Sequence, residues 1–139
     1  MTTTTAITFL LDTNAYLNGL RTAPAGRSFL LPAGAQTAVS VVTEVELRYG
    51  VAAAPGDPRR LASLTHLLSH WTPVPVDAAV ATAFSSVVAD ALAGGQTPRR
   101  RMNDLMIAAT ALAHGMTLVT NDRSLTAAVD GLVPVQPLF

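Results

Sequence analysis

The chain has 139 residues, of which half are hydrophobic and 13% are charged, enough for one core of useful size and too apolar for a disordered chain. Nine Arg balance seven Asp and two Glu, and a net charge of zero excludes strong, indiscriminate binding to nucleic acid while leaving room for a local RNA-binding patch. The absence of Cys excludes disulfides, thiolate metal sites and Cys nucleophiles, and the absence of Lys excludes any mechanism that needs one.

In chain order, Thr5 to Leu11 reads as a buried strand, an apolar run with β-branched residues. A helix follows to about Leu20, with Asp12 or Thr13 as its cap. Ala25 to Gly34, mixed and rich in Gly and Pro, reads as a short helix or loop. Thr37 to Val39 is a short strand, and Ser40 caps a helix to about Ala53 that Pro55 to Pro58 terminates. Arg59 to His70 is a helix, and Thr72 to Val76 a strand weakened by its prolines. Asp77 caps a helix to Ala93, which Gly94 and Gly95 close. Gln96 to Arg101 is a basic loop. An Ala-rich helix runs from Asn103, its cap, to His114, ended by Gly115. Thr117 to Thr120 is a buried strand, residues 121–124 turn into a short helix, and Leu132 to Val135 is a last, edge strand marked by Pro134.

Strands alternating with helices predict a single α/β domain over residues 1–139. Its expected form is three layers, α/β/α, around a mostly parallel sheet of four to five strands. No run approaches about 18 uncharged apolar residues, so no membrane span is expected. Met1 to Thr5 lacks the basic start and apolar stretch of a signal peptide, and the expected location is the cytoplasm.

In parallel sheets ligands sit beyond the carboxyl ends of the strands. Asp12 directly follows one apolar strand and Asp122 follows another by two residues, so both are expected on one sheet edge. Each is also a plausible helix cap. In the helix after Ser40, Thr43, Glu46 and Gly50 share one face, apart from an apolar stripe of Val41, Val45 and Ala52. The glycine would let a backbone or ligand approach. Glu46 could equally be a surface residue, and Glu44 points elsewhere, to solvent or back toward Ser40. Asp104 opens a very apolar helix, where the helix dipole favours an Asp, yet it shares a face with Ala108, Ala111 and Leu112, where a carboxylate needs a partner.

Four carboxylates near one point would repel and raise one another's pKa, a conflict that divalent cations remove. Oxygen-only ligation selects Mg²⁺, with Mn²⁺ as a substitute. Two such ions about 3.5–4 Å apart can activate a water and stabilise the leaving oxygen in phosphodiester cleavage. Asp12, Glu46, Asp104 and Asp122 are therefore the candidate catalytic and metal-binding set.

Four motifs occur in order: LLDTN at Leu10 to Asn14, S-x-x-T-x-x-EL-x-x-G at Ser40 to Gly50, ND-x-x-IAATA at Asn103 to Ala111, and LVTND at Leu118 to Asp122. With this spacing and length the chain resembles PIN-domain ribonucleases of the VapC toxin type, over nearly its whole extent. The resemblance implies that Asp12, Glu46, Asp104 and Asp122 are the family's four acidic positions, with Asp12 and Asp104 the most consistent Mg²⁺ ligands. It also implies that Asn14 and Thr120 support the metal site. It further implies the toxin of a type II toxin–antitoxin pair: a homodimer that cuts structured RNA such as tRNA or rRNA and is held inactive by an antitoxin that also supplies DNA binding.

Arg99, Arg100 and Arg101 could grip RNA phosphates beside Asp104, or form a solvated loop or an antitoxin contact. Arg48 could serve the groove or be exposed. His66, His70 and His114 are expected to be structural, Trp71 and Tyr49 to pack, and Met102 and Met106 to lie in the core. A receiver-like or aspartate-nucleophile phosphoryl-transfer protein also places Asp at strand ends, but those need a lysine, and the phosphatase an Asp-x-Asp where this chain has Asp12-Thr13-Asn14. A catalytically silent binding module is disfavoured by the intact carboxylate set. A PIN nuclease of housekeeping RNA processing remains the alternative within the family.

Overall fold

The computed structural model describes residues 7–20, 31–32 and 34–139. Four strands, β1 (Thr8–Leu11), β2 (Gln36–Val39), β3 (Thr117–Val119) and β4 (Val135–Gln136), form a parallel sheet in the order β2-β1-β3-β4. The helices are α1 (Thr13–Gly19), α2 (Val41–Ala53), α3 (Pro58–His70), α4 (Ala78–Ala93), α5 (Met102–His114) and α6 (Arg123–Ala128). A 3-10 turn, Pro98–Arg101, leads straight into α5.

Side chains alternate across the strands, and the two faces carry two cores. Phe9, Leu11, Val39 and Val119 cluster with Tyr16 of α1 and with Leu64 and Leu67 of α3. Leu10 and Leu118 cluster with Val80 and Val87 of α4, Leu105 and Ile107 of α5, and Leu125 of α6. Each fully buried Leu or Ile contributes roughly 1.5–3 kcal/mol relative to exposure. Helices thus cover both faces, the three layers expected. Ala108, Ala109 and Ala111 are wholly buried, and their small side chains suit the close packing of α5 on α4. Among the described residues no helix is long and apolar enough to cross a membrane.

Several boundaries differ from the sequence expectation. The first strand begins at Thr8, and Thr5 and Ala6 lie outside the described residues, as do positions 25–30 and 33 of the expected short helix or loop. Thr72 to Val76 is not a strand. Only Val74 bridges, donating to the Val39 carbonyl at 2.8 Å and accepting from Val41 N at 2.9 Å, because Pro73 and Pro75 have no N–H to extend the ladder. The last strand is shifted to Val135–Gln136 and lies at the sheet edge. The basic loop is in part the 3-10 turn, which occupies the N-cap position of α5 with Arg101, so Asn103 lies inside the helix and caps nothing. The expected apolar stripe of α2 is also wrong: Val45 is 58% exposed and Ala52 is exposed, while Val42, Thr43 and Leu47 are buried. Met102 is exposed rather than core.

Gly115 ends α5 with φ +65°, and Met116 N then donates to the Ala111 carbonyl at 2.9 Å. Only glycine takes this left-handed geometry freely. Gly115→Ala is expected to cost about 1–2 kcal/mol, read as a lower urea midpoint with an unchanged slope.

Candidate active site

The strand order makes the site. From β1 the chain passes to β2 on one side, then returns to β3 on the other, so the crevice beyond the carboxyl ends of β1 and β3 is a topological switch point. Leu11 is in register with both Val39 and Val119. The next residues, Ser40, Asp12 and Thr120, therefore lie side by side at that edge.

Asp12 is buried and caps α1, its Oδ1 accepting from Ala15 N at 2.7 Å. Burial pushes its carboxyl above the ordinary aspartate value, hydrogen bonds from Thr120 and Ala15 oppose that, and the charges of Asp104 and Asp122 add to it. The Thr120 hydroxyl serves two neighbours. It bonds the Asp12 carboxylate and accepts from Asp122 N at 3.0 Å. Asp122 caps α6, its Oδ1 accepting from Ser124 N at 2.9 Å and Leu125 N at 3.1 Å.

Ser40 accepts from Val42 N and starts α2, which delivers Thr43 and Glu46 toward α1. Thr13 Oγ1 donates to Glu46 Oε1 at 2.7 Å and lies 3.0 Å from Thr43 Oγ1. Thr13 has one hydroxyl hydrogen, so the buried Thr43 must donate to Thr13, and the chain Thr43, Thr13, Glu46 runs in one direction. Glu46 is raised by burial first, lowered by Thr13, and raised again by Asp104 and Asp12. Asp104, in the first turn of α5, is raised by burial and by Asp122 and lowered by Arg101.

The structure thus brings Asp104 and Asp122 near Asp12, and Asp104 and Asp12 near Glu46, with Thr43 and Thr120 holding their neighbours. Asn14 is exposed and lines a cavity of about 520 Å³ together with Thr13, Glu46, Gly50 and Arg59. Gly50 is not needed for close approach, since a Cβ there would meet Arg60 at an ordinary 3.7 Å. Glu44 pairs with Arg48 at 2.7 Å, away from the quartet. His66 and His70 stack beside Tyr16 and Trp71, which meet edge to face. Tyr49 does not pack: it is 76% exposed.

Of the three arginines, Arg99 and Arg100 are exposed and Arg101 turns inward. Its Nη2 lies 3.3 Å from Asp122 Oδ2 and its Nη1 3.9 Å from Asp104 Oδ2. Sequence reasoning did not anticipate this bridge, nor the role of Thr13, which it weighed only as a cap.

The candidate ligand atoms are all hard oxygens, and burial, with neighbouring carboxylate charge, raises the pKa of three of the carboxyls, Asp12, Glu46 and Asp104. That chemistry fits a divalent cation. Among the described residues no three His, Asp or Glu side chains converge closely enough to hold a metal ion.

A model of the PIN domain matches residues 9–131. Ribonuclease VapC4 of Mycobacterium tuberculosis is 39% identical over 100 residues, 70% of this chain and 75% of that one. The chain belongs to the PIN-domain family, among its VapC ribonucleases. Its fold agrees. This PIN domain overlays the VapBC-5 toxin–antitoxin structure from Mycobacterium tuberculosis with a TM-score of 0.70 and 29% identity, covering 94% of this chain and 97% of the other. It overlays VapBC2 of Rickettsia felis, solved with a promoter DNA fragment, with a TM-score of 0.75 over 96% of this chain and 100% of the other. At 22% identity the second likeness concerns the fold alone.

Proposed function

We propose that this PIN domain is an Mg²⁺-dependent endoribonuclease, the toxin of a type II toxin–antitoxin pair, with Mn²⁺ able to replace Mg²⁺. The observation that carries the reading is the gathering of carboxylates at the switch point between β1 and β3, where Asp12 lies near Asp104 and Asp122, and Glu46 near Asp104 and Asp12. Asp12 and Asp104 would be the principal metal ligands, with Glu46 and Asp122 completing the set. When bound, the metal would acidify a water and neutralise charge on the scissile phosphate. The chain's own part is orientation. Ala15 N and Thr120 hold Asp12, Thr13 aims Glu46, and two backbone amides fix Asp122. The exposed Arg99 and Arg100, beside Asp104 at the rim, would meet RNA phosphates.

The partner would be a cognate antitoxin covering the site, as the toxin–antitoxin complexes among its structural neighbours suggest. The toxin itself would act as a homodimer in the cytoplasm on structured tRNA or rRNA. Sequencing RNA 5′ ends after induced expression tests this. The expected result is a few new ends within tRNA or rRNA that vanish in an Asp12→Asn control and on co-expression of the antitoxin. Identical ends with wild type and control would refute it.

Thr13→Val removes the hydroxyl that aims Glu46 while keeping its shape. It is expected to lower cleavage about 10- to 100-fold at saturating Mg²⁺ with little change in melting temperature. An unchanged rate would show that Glu46 needs no such support.

A further inference from the structure

Arg101 has contacts that a structural ion pair would not leave as they are. Its side chain is only 24% exposed, yet its approaches to Asp122 (3.3 and 3.4 Å) and Asp104 (3.9 Å) are longer than the 2.7–2.9 Å or so of a formed charge-assisted bond. Its Nη1 is buried with no hydrogen-bond partner. A guanidinium that deep normally makes fork-like pairs. Here Nη2 reaches both oxygens of Asp122 in two long hydrogen bonds while Nη1, toward Asp104, makes none. Among the described residues, every ion pair to the four carboxylates comes from Arg101. The backbone explains why this arginine and not its neighbours turns inward. Pro98 starts a 3-10 turn that ends at Arg101, the N-cap position of α5, and Arg99 and Arg100 face solvent.

Resting on the metal-site reading above, we propose that Arg101 is an internal counter-ion that competes with the divalent cation. In the metal-free chain it offsets the repulsion between Asp104 and Asp122. For Asp104 and Asp122 to hold a cation the guanidinium would have to withdraw from them, and Arg101 already lines an open cavity of about 290 Å³ with Glu46, Asp104 and the exposed Arg99 and Arg100. Site assembly is thus set by an exchange of cations, and the resting toxin holds metal more weakly than its carboxylates alone would.

The sign of the effect follows from population arithmetic. If the bridging state is about 90% populated, it weakens apparent metal affinity about tenfold, and removing it restores that factor. The test is Mn²⁺ binding by the full chain after chelation, with free Mn²⁺ followed by electron paramagnetic resonance. Arg101→Gln is compared with Arg99→Gln, which removes the same charge from an exposed neighbour. Arg101→Lys keeps the charge but loses the fork, and melting in chelator confirms that each variant folds. The expected result is binding about tenfold tighter for Arg101→Gln than for Arg99→Gln, with Arg101→Lys between them. Equal binding by the two Gln variants, or weaker binding by Arg101→Gln, overturns the proposal. The second result would instead make Arg101 a positioning residue for the ligands. If no protein, wild type included, shows Mn²⁺ binding that Asp12→Asn removes, the metal-site reading itself fails and takes the proposal with it.

Discussion

Asp12→Asn is expected to reduce RNA cleavage by at least about 100- to 1000-fold while leaving the metal-free protein folded and more heat-stable. Asn is nearly as good a helix cap as Asp, so its side-chain oxygen can still accept from Ala15 N. What is lost is the charge, and burial is the main reason that charge is disfavoured in the fold. Removing it relieves a cost of folding and removes a metal ligand in the same step. Asp12→Ala would lose the cap as well, at about 1 kcal/mol. Cleavage assays and melting curves in chelator separate these effects. If Asp12 were only a cap, Asp12→Asn would cut RNA like wild type.

The second large effect is a change in the sign of the pH dependence of stability. Asp12, Glu46 and Asp104 all bind protons more readily folded than unfolded, where their ordinary values are 3.8 for Asp and 4.5 for Glu. For an acid whose folded pKa is raised, the charged form carries a folding penalty at neutral pH. That penalty shrinks as pH falls through the raised pKa and is gone below the unfolded value. The chelated protein is therefore expected to melt at a higher temperature near pH 5 than at pH 7.5. The buried Asp12 dominates, because solvent screens the partly exposed Glu46 and Asp104. With excess Mg²⁺ the trend reverses, since the metal takes only ionised carboxylates and acid releases it. Parallel curves with and without Mg²⁺ would contradict a shared metal site at these residues.

Much of the site was legible because it lies on strand ends. The apolar runs before Asp12 and Asp122 placed both at one edge, and the parallel register delivered them there. Treating cap and ligand as rival roles was less sound. Asp12 and Asp122 are both caps through Oδ1, so capping engages one carboxylate oxygen and does not exclude a second role for the group. The choice of Glu46 over Glu44 rested on helical spacing, and Thr13 and Thr43 now give it a physical basis. The same spacing misjudged the apolar side of α2, because Val45 belongs to no core and periodicity cannot say which apolar stripe meets the sheet. Thr13 stayed hidden because its partner lies 33 residues away. Arg101 stayed hidden because three successive arginines carry no periodic signal, and the 3-10 turn that turns one of them inward was read as loop.

The most direct test of the four-carboxylate account is equilibrium Mn²⁺ binding to the purified chain, wild type against Asp12→Asn, Glu46→Gln, Asp104→Asn, Asp122→Asn and, as a control, Glu44→Gln. The account predicts that Asp12→Asn and Asp104→Asn bind at least about 100-fold more weakly, that Glu46→Gln and Asp122→Asn are weakened less, and that Glu44→Gln binds like wild type. Wild-type affinity in Asp12→Asn and Asp104→Asn would contradict it.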